Sequence, residues 1–136
     1  MVSLAVRPGR HSHALIREAG EFSVNIPRTC DLETVKHCGT VSGRDHDKFR
    51  DLGLTAVPCP PLRSAPMIAE FALALACRVK HEMTMGTHDL FLAEVVAVHG
   101  EEIPGHPSHR PKMFPTEQLV YLEGKFWTLR HVGDRT

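Results

Sequence analysis

At 136 residues the chain is sized for one compact domain, long enough to bury a core and too short to divide comfortably in two. Its 42% hydrophobic and 24% charged residues are ordinary for a globular protein, and no apolar run nears the roughly 20 residues of a helical membrane span. Sixteen Lys and Arg balance sixteen Asp and Glu, which excludes a broad electrostatic footprint for nucleic acid or an anionic membrane, so an anionic ligand has to be held locally.

The first residues lack the cationic start, apolar stretch and small-residue cleavage site of a secretory leader, and a cytoplasmic setting is expected. Residues 2–6, VSLAV, read as a strand with no cap or polar leader, as though the chain starts inside a domain. Arg7-Pro8-Gly9-Arg10 breaks it, and His11 or Ser12 is placed to cap a helix through Ala14, Leu15, Ile16 and Ala19 that ends at Gly20. A strand over 22–26 stops at Pro27. Asp31 is placed to cap a short helix through Leu32, Val35 and Cys38 with Gly39 as its terminator. Ser42 or Asp45 is placed to cap another over 47–52, closed by Gly53.

Residues 54–57 are short and extended, and the prolines at 58, 60, 61 and 66 make the next stretch a loop. Residues 67–83 carry alanines that favour helix, yet Phe71, Leu73, Leu75, Cys77 and Val79 recur at every second position, which predicts a strand. The opposite face, Ala72, Ala74 and Ala76 followed by Arg78 and Lys80, leaves room for another element to pack. Gly86 turns the chain into HDLFLAEVVAVH, so 67–99 reads as an antiparallel hairpin. Residues 100–118 read as an exposed loop, LVYL and KFWTLR as a hairpin about Glu123-Gly124, and the last residues as fraying. Short helices among antiparallel hairpins, without βαβ alternation, make the class β-rich α+β, a small barrel decorated with helices.

Cys30, Cys38, Cys59 and Cys77 are dispersed, with no C-x-x-C pair, and in a reducing compartment such thiols are more often free than bridged. Cys38, beside a cationic loop, is either a redox-sensitive thiol or, more commonly, a small packed hydrophobe. The ten histidines form neither H-E-x-x-H nor a Cys/His ladder, so no metal site is expected. His11 and His13, two apart on a helix, share no face and read as surface residues. Tyr121 and Trp127 read as core side chains sooner than as pocket lining.

Three polar groups could carry chemistry. Arg7, Arg10 and Ser12, between a strand and a helix, offer guanidinium forks, a hydroxyl and backbone N–H groups that suit a phosphate; the plainer alternative is two surface arginines and a serine cap. In VSGRDHDKF, residues 41–49, Ser42-Gly43 gives flexible backbone while Arg44 and Lys48 supply positive charge. Asp45 and Asp47 lack the further oxygen ligands of a calcium loop and read as a cap and a helix-dipole partner. His88 opens a strand after a turn, as a ligand donor or as a histidine satisfied by its neighbours. No G-x-G-x-x-G follows a strand in a βαβ unit, so a nicotinamide has no domain of its own.

Taken together, VRPGRHSHALIREAGEFSVNIP, CGTVSGRDHDKF, PMIAE followed by CRV, and GTHDLFLAEVVAVH resemble, in order and spacing, the flavin reductase-like family of FMN-binding split β-barrels. Its flavoredoxin-type branch is the most similar, and LVYLEGKFWTLR looks like that branch's closing strand pair. The resemblance covers residues 1–136 as one domain, lacking two or more N-terminal strands of the family. It implies a homodimer holding FMN non-covalently near the subunit interface, with Arg7, Arg10 and Ser12 at the phosphate and Ser42, Gly43, Arg44, Lys48 and His88 in the same site, Lys48 toward the ring. The activity implied is an oxidoreductase passing hydride from NAD(P)H to flavin and on to an acceptor. The alternatives are a flavoredoxin-like electron carrier or a cofactor-free remnant. Neither a catalytic residue nor a metal ligand is implied, and nucleic acid and membrane are not expected partners.

Overall fold

A computed structural model describes residues 1–100 and 118–129. The elements are β1 Val2–Val6, α1 His11–Ala19, β2 Glu21–Ile26, a 3₁₀ turn Thr29–Asp31, α2 Leu32–Thr40, α3 Lys48–Leu52, β3 Ala56–Val57, β4 Met67–Ile68, β5 Leu73–Met85, β6 His88–Gly100, β7 Leu119–Leu122 and β8 Lys125–Thr128. An antiparallel sheet in the order β1-β6-β5-β2 forms the body, β3 pairs with β4, and β7 pairs with β8. The sheet curls. Leu4 of edge strand β1 and Phe22 and Val24 of the opposite edge β2 line one open cleft of about 920 Å³, with Leu15 and Ile16 of α1 across it.

The core sits where α1 meets the sheet. Phe91, Cys77 and Ala93 are fully buried, joined by Ile16 and Phe22, and Leu4, Val6, Val24, Leu75 and Val79 pack around them. A buried Phe of this kind contributes about 3–5 kcal/mol by the measure of its truncation to Ala. The sheet's alanine stripe fits the expected close approach, for Ala74 and Ala76 are buried. Register shifts at Ala76/Cys77 and Val79/His81 break the strict alternation. Consequently the adjacent Ala76 and Cys77 are both buried, and the exposed face begins at Arg78.

Several local expectations need correction. α1 starts at His11, and Arg10, in an extended conformation with no side-chain cap, occupies the N-cap place given to His11 or Ser12. Gly39 lies inside α2, which runs to Thr40. Asp31 stands at the N-cap of α2, but its carboxylate accepts from Arg28 N at 2.8 Å instead of from α2. Asp47, not Ser42 or Asp45, caps α3 through a 3.1 Å bond from Arg50 N, and Gly53 closes it at φ 64°.

The strand expected over 67–83 is broken between β4 and β5. There Phe71 N donates to Ile68 O, and the Glu70 carboxylate accepts from Thr55 N at 3.0 Å, so local bonds replace the ladder. The β7–β8 turn has positive φ at Glu123 (52°) and Gly124 (76°), the twist a two-residue hairpin requires. Tyr121 and Trp127 are exposed, at 66% and 53%, where core positions were expected. Apart from Gly100, which ends β6, and Gln118, which bridges to Arg28, the expected loop over 100–118 lies outside the described residues, as do the last residues expected to fray.

Candidate functional site

The cationic residues converge on the turn between β1 and α1. Antiparallel pairing of β1 with β6 ends at Val6↔Asp89, so the next positions on the two strands are Arg7 and His88. Arg10 N donates to Arg7 O at 2.9 Å, closing the turn, and α1 begins immediately after it. The Arg7 and Arg10 side chains are exposed and engage no other described residue. Ser12 sits in the first turn of α1, beside N–H groups that no side chain caps.

A second loop is drawn onto this turn. Arg44 Nη2 donates to Gly9 O at 3.2 Å, and a Cβ added at Gly43 would lie 3.1 Å from His11 Cδ2, a tight contact that the His11 ring would have to relieve by shifting. Ser42 Oγ accepts from Arg44 N at 3.2 Å, shaping the loop. Around it lies an open cleft of about 560 Å³ whose lining includes His11, Gly43, Arg44, His46 and Lys48. Arg7 and Arg10 thus lie in the turn that Gly43 and Arg44 approach, Ser42 shapes the approaching loop, His88 follows the last β1–β6 pair, and Ser12 lines the larger 920 Å³ cleft. Lys48 borders the smaller cleft but spends its ammonium on Cys38 O, at 2.6 Å. His88 Nδ1 lies 2.8 Å from Thr87 Oγ1.

These residues fit the anionic end of a phosphorylated cofactor: uncommitted guanidinium groups, a hydroxyl, uncapped N–H groups and a glycine that a side chain would crowd. Cys38 is half-buried and all four cysteines are free.

One buried group escaped the sequence reading. His13, expected at the surface, is 4% exposed, and its Nε2 donates to Asp89 Oδ2 at 2.7 Å across 76 positions of chain. Its ring meets Phe91 edge-on, with centroids 5.5 Å apart. Arg17 closes the outer side, bonding to Glu82 and reaching 3.7 Å from Asp89. The His13 hydrogen bond holds the Asp89 carboxyl below the usual carboxylate range against the opposing effect of burial, with help from Thr84 and Arg17. Ligand-type atoms of His13, Glu82 and Asp89 also lie within 4.8 Å of one another. Arg17 already supplies that cluster's positive charge, so the arrangement is an ion network, in which Asp89 Oδ1 is buried without a hydrogen-bond partner. The available signal was His13 standing three residues before Ile16 on α1, which gives the two a common face.

A curled antiparallel half-barrel with a cationic turn at its rim defines the chain as a split-barrel domain of the flavin reductase type. The chain belongs to that family: the description "Flavin reductase like domain" matches residues 1–130. It is 37% identical over 102 residues to a protein of Archaeoglobus fulgidus, covering 74% of this chain and 57% of that one. Flavoredoxin from Methanosarcina acetivorans superposes with a TM-score of 0.84 at 27% identity, covering 98% of this chain and 70% of that one. An FMN-binding protein from Thermus thermophilus gives 0.78 at 26% identity, covering 98% and 72%. The chain spans just over half the length of curated relatives it matches, 57% and 55%. No described helix is long and apolar enough to cross a membrane.

Proposed function

We propose that this chain is the flavin-holding domain of an oxidoreductase whose cofactor is FMN. The observation that carries the reading is the convergence of two uncommitted arginines, Arg7 and Arg10, with Ser12 and the Gly43–Arg44 loop on one turn of a split-barrel fold. Arg7, Arg10, Ser12 and the first N–H groups of α1 hold the phosphate, while Ser42, Gly43, Arg44 and His88 border it. Lys48 stands toward the ring, where its positive charge favours a reduced, anionic flavin. FMN supplies hydride and electron chemistry, and the protein supplies binding, orientation and charge.

In this proposal a reduced nicotinamide binds transiently, hydride passes to flavin and then to an acceptor, and two copies form a homodimer in the cytoplasm as one domain over 1–136. The likeness to an FMN-binding protein from Thermus thermophilus supports the choice of FMN. Titration of the purified chain with FMN, followed by flavin fluorescence, is expected to saturate at one flavin per chain; unsaturable binding sinks the proposal.

The likeness to flavoredoxin favours a second reading, an FMN electron carrier with little turnover of its own. Steady-state NAD(P)H oxidation with added FMN separates the two: turnover identifies the reductase, and reversible binding without turnover identifies the carrier.

A further inference from the structure

We infer that Asp89, through His13, clamps the phosphate end of the flavin site, an inference that rests on the function proposed above. Asp89 holds the segment 7–12 at both of its ends. On one side its backbone is the register partner of Val6, the residue before Arg7. On the other its carboxylate accepts the 2.7 Å bond from His13, the residue after Ser12. The stretch between these anchors contains Arg7, Arg10 and Ser12, and its interior is tied by the Arg10 N to Arg7 O bond. His13 and Asp89 are both buried, each 4% exposed, so water does not compete for the bond between them.

The other charged groups that face the pair explain why it stays intact. Arg17 from α1 and Glu82 from β5 pair with each other on the solvent side, and Arg17 also lies near the Asp89 carboxylate. Phe91 of β6 fixes the plane of the His13 ring. His13 and Asp89 are buried behind the turn and act as positioning residues for Arg7, Arg10 and Ser12. Without the bond, the turn keeps its anchor on β1 but loses the one on α1, and the backbone positions that carry Arg7 and Arg10 lose their fixed separation from Ser12.

Riboflavin carries the same ring as FMN without the phosphate, so a clamp on the phosphate end acts on one ligand and spares the other. His13→Ala is expected to weaken FMN binding about tenfold, the worth of one buried charge-assisted hydrogen bond, while riboflavin binding stays within about twofold. His13→Gln keeps an N–H donor at similar reach and is expected to restore most of the FMN affinity. Asp89→Asn provides a second variant, with the same expected selectivity for FMN, and near-ultraviolet circular dichroism confirms that each variant is folded. Equal losses for FMN and riboflavin, or no loss for either, overturn the clamp while leaving the flavin reading standing. A native chain that binds neither ligand overturns the flavin reading itself.

Discussion

Lys48 Nζ donates to the Cys38 carbonyl oxygen at 2.6 Å, tying the first residue of α3 to the last turn of α2. The bond satisfies a carbonyl near a helix C-terminus, where a cation is electrostatically favoured. It also fixes the far side of the loop that carries Ser42, Gly43 and Arg44. Lys48→Ala is expected to cost about 1 kcal/mol of stability through the lost donor, and to weaken FMN binding about threefold to tenfold. Thermal melting and FMN titration check the two separately. A lower melting temperature with unchanged FMN affinity would confine Lys48 to holding the helices.

Glu21 secures the proline-rich loop. Its Oε1 accepts from Arg63 N at 2.6 Å, Ser64 N at 2.7 Å and Ser64 Oγ at 3.0 Å. Burial alone would raise the Glu21 pKa, but these bonds, with Arg78 nearby, hold it below the usual range. Glu21→Ala releases both N–H groups and the Ser64 hydroxyl, so trypsin is expected to cut after the exposed Arg63 at least about tenfold faster than in the native chain, as three charge-assisted bonds are lost. Time-resolved mass spectrometry reads the cut, and an unchanged rate would show that the loop is held by other contacts.

Acid is expected to destabilise the fold. Asp89 is depressed first by the His13 bond, Glu94 by Lys80 and Glu70 by the Thr55 N–H, and Glu21 is also lowered. A carboxyl with a folded pKa below its unfolded one stabilises the fold above the unfolded value, near pH 4 to 4.5 here, and that stability is lost as the pH falls through the folded pKa. The melting temperature should therefore hold level from neutrality to about pH 5 and fall below it. Asp89→Asn removes one such group, and its acid arm should be shallower. A melting temperature that rises on acidification through this range would refute the assignment.

The cysteines should divide by accessibility. Cys30 is exposed, whereas Cys59 and Cys77 are buried, and burial pushes both of those thiols up from their ordinary pKa. Neutral, shielded thiols are poor nucleophiles. Iodoacetamide at neutral pH is expected to label Cys30 readily and Cys59 and Cys77 only after unfolding by guanidinium. Labelling of Cys77 in the folded protein would mean that the sheet opens locally.

Much of the scaffold was legible in the chain. β1, α1 and β2 follow from a branched run, an apolar stripe and the punctuation of Gly20 and Pro27, all of which act within a few residues. The long hairpin followed from alternation on both sides of Gly86. Cap assignment failed where polar residues crowd together: Ser42, Asp45 and Asp47 are all chemically able to cap, and only loop geometry selects Asp47. Tyr121 and Trp127 failed for a related reason, since aromatic character states what burial would gain and not which face of a hairpin is covered.

The sequence by itself determined the class of the protein, because strand alternation, turn glycines and motif order are local or linear properties of the chain. Only the tertiary structure decided which charges meet. Whether His13 is a surface residue or a buried partner depends on the register of β1 with β6 and on the residue which that register presents to α1, Asp89, 76 positions away. Register is set by the packing of the whole sheet and core, so the pair, and the turn it grips, emerges only after the strands have met.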